Sequence, residues 1–216
     1  MQVTIVGAGR GIGYAVAKLF GQKGYKVGLI ARREEQLAQL VADLQAQGIK
    51  SMYAVADAQD TEQLKEAYSS VFEAFGYPAM VLFNAYAYQQ KKVFEFSIDD
   101  IGWAMRANAG AAFNLAREIL PQFIIENRGK LFFTGGGLAN TPNPSMLPLG
   151  MSKAALRNMV YALAQTVAGT NVHVATLTIN GFINDTDKRY NASAIAEQYW
   201  TLFSQPPGEF KTEVTY

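Results

Sequence analysis

At 216 residues the chain falls within reach of one α/β domain and is long enough to bury a large core. Half of its residues are hydrophobic and the formal net charge is only +1, which argues against disorder, a nucleic-acid footprint or any strongly charged partner. Zero cysteines exclude disulfides and thiol catalysis, and a single histidine leaves no histidine triad or metal cluster. No apolar run approaches the ~18 residues a membrane helix needs, and the N-terminus carries no leader pattern. The expectation is a cytoplasmic protein with a small-molecule substrate, no nucleic acid and no membrane partner.

The first predicted strand, 3–6, runs directly into Gly7-Ala8-Gly9-Arg10-Gly11-Ile12-Gly13. A helix follows, because Ile12, Ala15, Val16, Leu19 and Phe20 recur at helical spacing and Gly24 stands where a C-cap is expected. A glycine loop between a buried strand and a helix lets backbone N–H groups approach a pyrophosphate, which the positive helix N-terminus then stabilises. Strand 27–31 comes next, then a helix marked by Leu37, Leu40, Val41 and Leu44, then strand 51–56. Asp60 with Gln63 offers a cap for a helix carrying Leu64, Ala67, Val71 and Phe75. Strand 80–83, a long helix over 99–127, strand 130–134 and a second long helix over 149–168 follow. Strand 172–179, a shorter helix over 192–203 and strand 210–214 complete the chain. Strands this apolar, alternating with helices, imply a doubly wound, Rossmann-type α/β fold: one domain over 1–216, with a parallel sheet of about seven strands and helices on both faces.

The glycines at 7, 11 and 13 fit G-x-x-x-G-x-G rather than G-x-G-x-x-G. Set behind an N-terminal strand, that pattern resembles the short-chain dehydrogenase/reductase family. The resemblance implies a dinucleotide held by Gly7, Gly11, Ile12 and Gly13. Strand 27–31 ends in Ala31-Arg32-Arg33, with no carboxylate to hold a ribose 2′-OH as NAD-preferring relatives have. Arg32, with Arg10 inside the loop, occupies the basic positions of NADP-using members, so the expected cofactor is NADP(H). An ordinary solvated helix start is the other reading of Arg32 and Arg33. Asp57 matches the family's adenine-binding aspartate, with a turn carboxylate as the plainer alternative. Asn84 and Ala85 match the segment after strand four, although Tyr86 replaces its glycine. Asn108 matches the asparagine that supports the active-site relay, and Gly181 and Ile183 match the segment that meets the carboxamide.

In the family, hydride exchange with a carbonyl or alcohol relies on a Tyr-x-x-x-Lys pair and an upstream serine. Here the lysine is Lys153, whereas Leu149 stands at the tyrosine position and Gly136 at the serine position. Asn108 and Lys153 are therefore the remaining catalytic candidates. A general acid is worth about 10²- to 10⁴-fold, so its loss slows hydride transfer without forbidding it. Tyr86, Tyr88, Ser145, Ser152 and Lys153 are candidate substitutes, while His173 lies at the wrong edge of the sheet and is read as structural. A short substrate lobe spans 184–203 and carries Tyr190, Tyr199 and Trp200. Two functions follow: an NADP(H)-dependent oxidoreductase with a non-standard proton donor, or a catalytically inactive NADP(H)-binding protein with a sensing or partner-binding role. The long helices imply a homo-oligomer, a dimer or tetramer, as in relatives.

Overall fold

The computed structural model describes residues 1–216. Its seven strands are β1 (Gln2–Val6), β2 (Lys26–Ala31), β3 (Ser51–Val55), β4 (Pro78–Phe83), β5 (Gly129–Gly136), β6 (Val172–Ile179) and β7 (Glu213–Thr215). They form one sheet in the order β3-β2-β1-β4-β5-β6-β7, and every pairing is parallel. Parallel strands need crossovers, and the helices supply them: α1 (Ile12–Gln22), α2 (Glu34–Gln45), α3 (Thr61–Phe75), α4 (Ile98–Met105), α5 (Ala111–Ile125), α6 (Leu147–Thr166) and α7 (Ala192–Phe203).

The strand side chains alternate between two separate cores. Val3, Ile5, Val27, Leu29, Met80 and Leu82 face α1, α2 and α7, whereas Val6, Ile30, Val81, Phe83, Leu131 and Phe133 face α3, α5 and α6. Both faces are covered, which is why the strands read as continuous apolar runs rather than alternating ones. Asp60 caps α3 as its position suggested, accepting from the backbone N–H groups of Glu62 and Gln63 at 3.1 Å.

Two elements depart from expectation. The last strand begins at Glu213 rather than at 210, because Phe210 leaves the ladder to stack on His173, with ring centroids 4.2 Å apart and planes 8° apart. The long helix over 99–127 is broken in phase by a π-helical turn, Arg106–Gly110, between α4 and α5. Such a turn adds a residue to the helical repeat and is frequent at functional sites. No helix is long and apolar enough to cross a membrane.

Candidate active site

A cleft of about 1380 Å³ opens at the carboxyl ends of the strands, where β1, β4 and β5 meet the loops that follow them. β1 marks the change of direction in the sheet order, the position where doubly wound sheets bind ligands.

The glycine loop forms its upper rim. Gly7 has φ +86°, and a Cβ there would lie 2.2 Å from the Ala85 nitrogen, so only glycine lets β1 and β4 end this close together. Gly9 and Gly11 instead border open space. No side chain caps α1, and its first turn carries no acidic residue. Its free N–H groups and positive end thus face the cleft, as an anion would require.

The two arginines sit at the far end. Arg10 lies 3.5 Å from Asp43 and Arg32 3.8 Å from Asp57, and each side chain is 63% exposed. Both ion pairs are long and wet, so neither guanidinium is locked away from a ligand. Asp57 also accepts from the Gln59 N–H at 3.0 Å, which makes it a turn-forming carboxylate as well as a cleft residue.

Beneath the loop runs a hydrogen-bond chain whose direction is forced. Asn84 Nδ2 donates to the Gly7 carbonyl at 3.0 Å, so its Oδ1 must be the atom accepting from Thr134 Oγ1 at 2.8 Å. The Thr134 hydroxyl has then spent its proton and can only accept from Tyr199, 2.7 Å away. Tyr199 is completely buried, and burial raises its phenol well above the ordinary range. The chain thus ties α7 to the glycine loop through β5 and β4.

Thr134 has a second role, since its carbonyl accepts from Lys153 Nζ at 2.7 Å. Lys153 is buried and forms no ion pair, and burial pushes its ammonium down to about 8. Gly136 lies alongside, where a Cβ would stand 3.9 Å from Lys153 Cε. Leu149 precedes Lys153 by one helical turn and lines the same cleft.

Asn108 is fixed by the π turn but does not line the cleft, and no hydrogen bond joins its amide to Lys153. Its Oδ1 accepts from the Ala87 N–H and its Nδ2 donates to the Ala87 carbonyl, both at 2.9 Å, with further contacts to the Ala104 carbonyl and Ser152 Oγ. The side chain therefore clamps the segment after β4. Ser152 is completely buried and donates to the Leu149 carbonyl at 2.9 Å, and Ser145 donates to Asn143 Oδ1 at 2.8 Å; neither lines the cleft. Tyr86 and Tyr88 do, as do Gly181, Phe182 and Ile183 on the strand-six side. A Cβ on Gly181 would meet the Tyr190 ring at 2.5 Å, which shows how closely the 184–203 segment folds back here.

His173 lies at the start of β6, opposite Lys130 and remote from the cleft. Its Nε2 lies 3.0 Å from the Lys211 carbonyl, and burial pushes the ring down to about 4. Sequence reasoning missed the Tyr199 chain and the Ala87 clamp. The only local hint of the clamp is the small-residue run Ala107 to Ala112, which permits a close helix path.

Comparison with known proteins agrees with this architecture. The short chain dehydrogenase family model matches residues 1–194. An uncharacterized oxidoreductase of Listeria innocua is 28% identical over 177 residues, covering 81% of this chain and 71% of the relative. A short chain dehydrogenase of Pseudocercospora fijiensis is 32% identical over 171 residues, 78% of this chain and 55% of that longer protein. The crystal structure of a short-chain dehydrogenase from Rhodopseudomonas palustris superposes with a TM-score of 0.89 at 26% identity, covering 100% of this chain and 97% of the other. With the family model covering most of its length and the sheet order, glycine loop and cleft in their expected places, the chain belongs to the short-chain dehydrogenase/reductase family of oxidoreductases.

Proposed function

We propose that the protein is an NADP(H)-dependent oxidoreductase that exchanges a hydride with a small carbonyl or alcohol substrate, using a proton donor other than the family's tyrosine. The observation that carries this reading is the double use of Thr134. Its carbonyl holds Lys153, and its hydroxyl belongs to the chain that ends on the Gly7 carbonyl. The lysine and the glycine loop are thus parts of one rigid cleft.

The residues present fit a dinucleotide. The uncapped α1 terminus and the open faces of Gly9 and Gly11 suit a pyrophosphate, with Gly11, Ile12 and Gly13 offering backbone N–H groups. Arg10 and Arg32 suit a 2′-phosphate, Asp57 the adenine amino group, and Asn84, Ala85, Gly181 and Ile183 the inner half. Lys153 suits the nicotinamide ribose. When bound, the reduced nicotinamide supplies the hydride to the carbonyl carbon. The carbonyl oxygen then needs one proton.

At the positions where the family has its tyrosine and serine, this chain has Leu149 and Gly136. Ser145 and Ser152 are committed to Asn143 and Leu149, so of the candidate substitutes those that face the cleft are Lys153, Tyr86 and Tyr88. Lys153, with two N–H bonds left after Thr134, is the most buried of the three. Residues 184–203 act as a short substrate lobe in this reading.

The side chain of Leu149, which carries no transferable proton, favours a second reading: a dinucleotide-binding protein without turnover. NADPH oxidation over a broad carbonyl panel, with Lys153→Ala as control, separates the two. Lysine-dependent turnover supports the enzyme, and tight NADPH binding without turnover supports the binding protein.

A further inference from the structure

The cleft has two chemically different halves. Arg10, Arg32, Arg33 and Asp57 all lie along the glycine-loop end. The other half is walled by Tyr86, Tyr88, Met146, Leu149 and Phe182, and its only charged side chain is Lys153, whose ammonium is bonded to Thr134 on the floor. That wall suits an uncharged ring, and the one countercharge it offers an anion is the Lys153 ammonium.

Two aromatic residues dominate this mouth, and the backbone between them is held in place. Asn108 is 1% exposed and takes both polar groups of Ala87, so the backbone between Tyr86 and Tyr88 cannot turn freely. The flanking rings consequently project to one side, nearly parallel at 17° with centroids 6.0 Å apart, within the range of offset stacking. Tyr86 remains 60% and Tyr88 51% exposed. Solvent-exposed aromatic surface lining a cleft, held from behind by a buried amide, is a preorganised platform for a planar partner.

We propose that Tyr86 and Tyr88 form a stacking platform that selects an aromatic carbonyl compound over a saturated one, the Asn108 clamp on Ala87 holding the platform in register with Lys153. This rests on the oxidoreductase reading for the carbonyl group alone. The ring preference rests on the two exposed rings and the clamp behind them.

The test measures binding by ligand-observed NMR on the full chain loaded with NADP⁺, which permits no reduction of the probe. Benzaldehyde and cyclohexanecarboxaldehyde are compared. Benzaldehyde is expected to bind about tenfold more tightly than the saturated aldehyde, the range of one aromatic contact. The Tyr86→Leu, Tyr88→Leu double variant, which keeps apolar bulk at two exposed positions, should remove the preference over the saturated ring. The Tyr86→Phe, Tyr88→Phe variant should retain it. Equal binding of the two aldehydes in the unmodified protein, or a ring preference that survives in the leucine variant, would overturn the platform. NADPH oxidation is followed in parallel. Ring preference without turnover upholds the platform while counting against the enzyme, and equal binding with turnover does the reverse.

Discussion

Installing the missing hydroxyls, by Leu149→Tyr together with Gly136→Ser, should raise turnover by at least about 10²-fold, the lower bound for a positioned general acid. That corresponds to about 3 kcal/mol of barrier. Position 136 has room for a side chain, and position 149 borders the cleft. Gly136 has φ −161° and ψ 148°, extended backbone that serine adopts without strain, and a Cβ there makes no contact nearer than 3.9 Å. Position 149 lies one turn before Lys153 on the same helix face, so a phenol placed there extends over the ammonium that Thr134 already holds. Stopped-flow NADPH oxidation with a carbonyl panel is the assay, and the volume-matched pair Leu149→Phe, Gly136→Ala is the comparator. The argument fails if the hydroxyl variant folds, binds NADPH like the parent, and still reduces no substrate faster than the comparator.

Three further outcomes follow from the same geometry. Gly7→Ala must place a side chain at φ +86° against the Ala85 backbone, and should lower unfolding free energy by about 2 kcal/mol or more in urea titrations; an unchanged midpoint would contradict it. Arg32→Ala should reduce the preference for NADPH over NADH about tenfold by calorimetry, the size expected of one exposed charge-assisted contact; equal affinities in the unmodified protein would remove the 2′-phosphate role. His173 has a folded-state pKa of about 4 against an ordinary 6.5, so the unfolded chain binds more protons between those values and stability rises with pH across that window. Up to about 3 kcal/mol is present above pH 6.5 and lost as the pH falls towards 4, and His173→Gln should flatten that slope in denaturation curves taken across it.

The sheet and its helices were legible because burial on two faces leaves a signature that needs no long-range knowledge. β4 is apolar throughout and β1 and β2 nearly so, and the glycine loop advertises its own position. What escaped sequence reading is what depends on pairs far apart in the chain. Tyr199 reads as an aromatic of an amphipathic helix, yet its hydroxyl meets Thr134, 65 residues away. Asn108 was legible as a helix residue with a family counterpart, but its partner Ala87 has no side chain to announce a hydrogen bond, since both contacts are to backbone. Ser145 and Ser152 show the opposite error: hydroxyls near a lysine in sequence look available until their acceptors are seen. The end of the sheet was misplaced for a local reason, because a phenylalanine with high strand propensity found a better partner in the His173 ring.

The π turn at 106–110 divides labour along what would otherwise be one rod. A single added residue rotates everything beyond it by about 100° in the repeat of an α-helix, so α4 and α5 present their apolar sides in different directions. α4 packs on α6, while Ala112, Leu115, Ala116 and Ile119 of α5 point straight into the core under the sheet. Deleting one residue from the turn would bring the two halves back into phase. The core could then be kept only by swinging Asn108 off Ala87, so packing and platform share one register and cannot be adjusted separately.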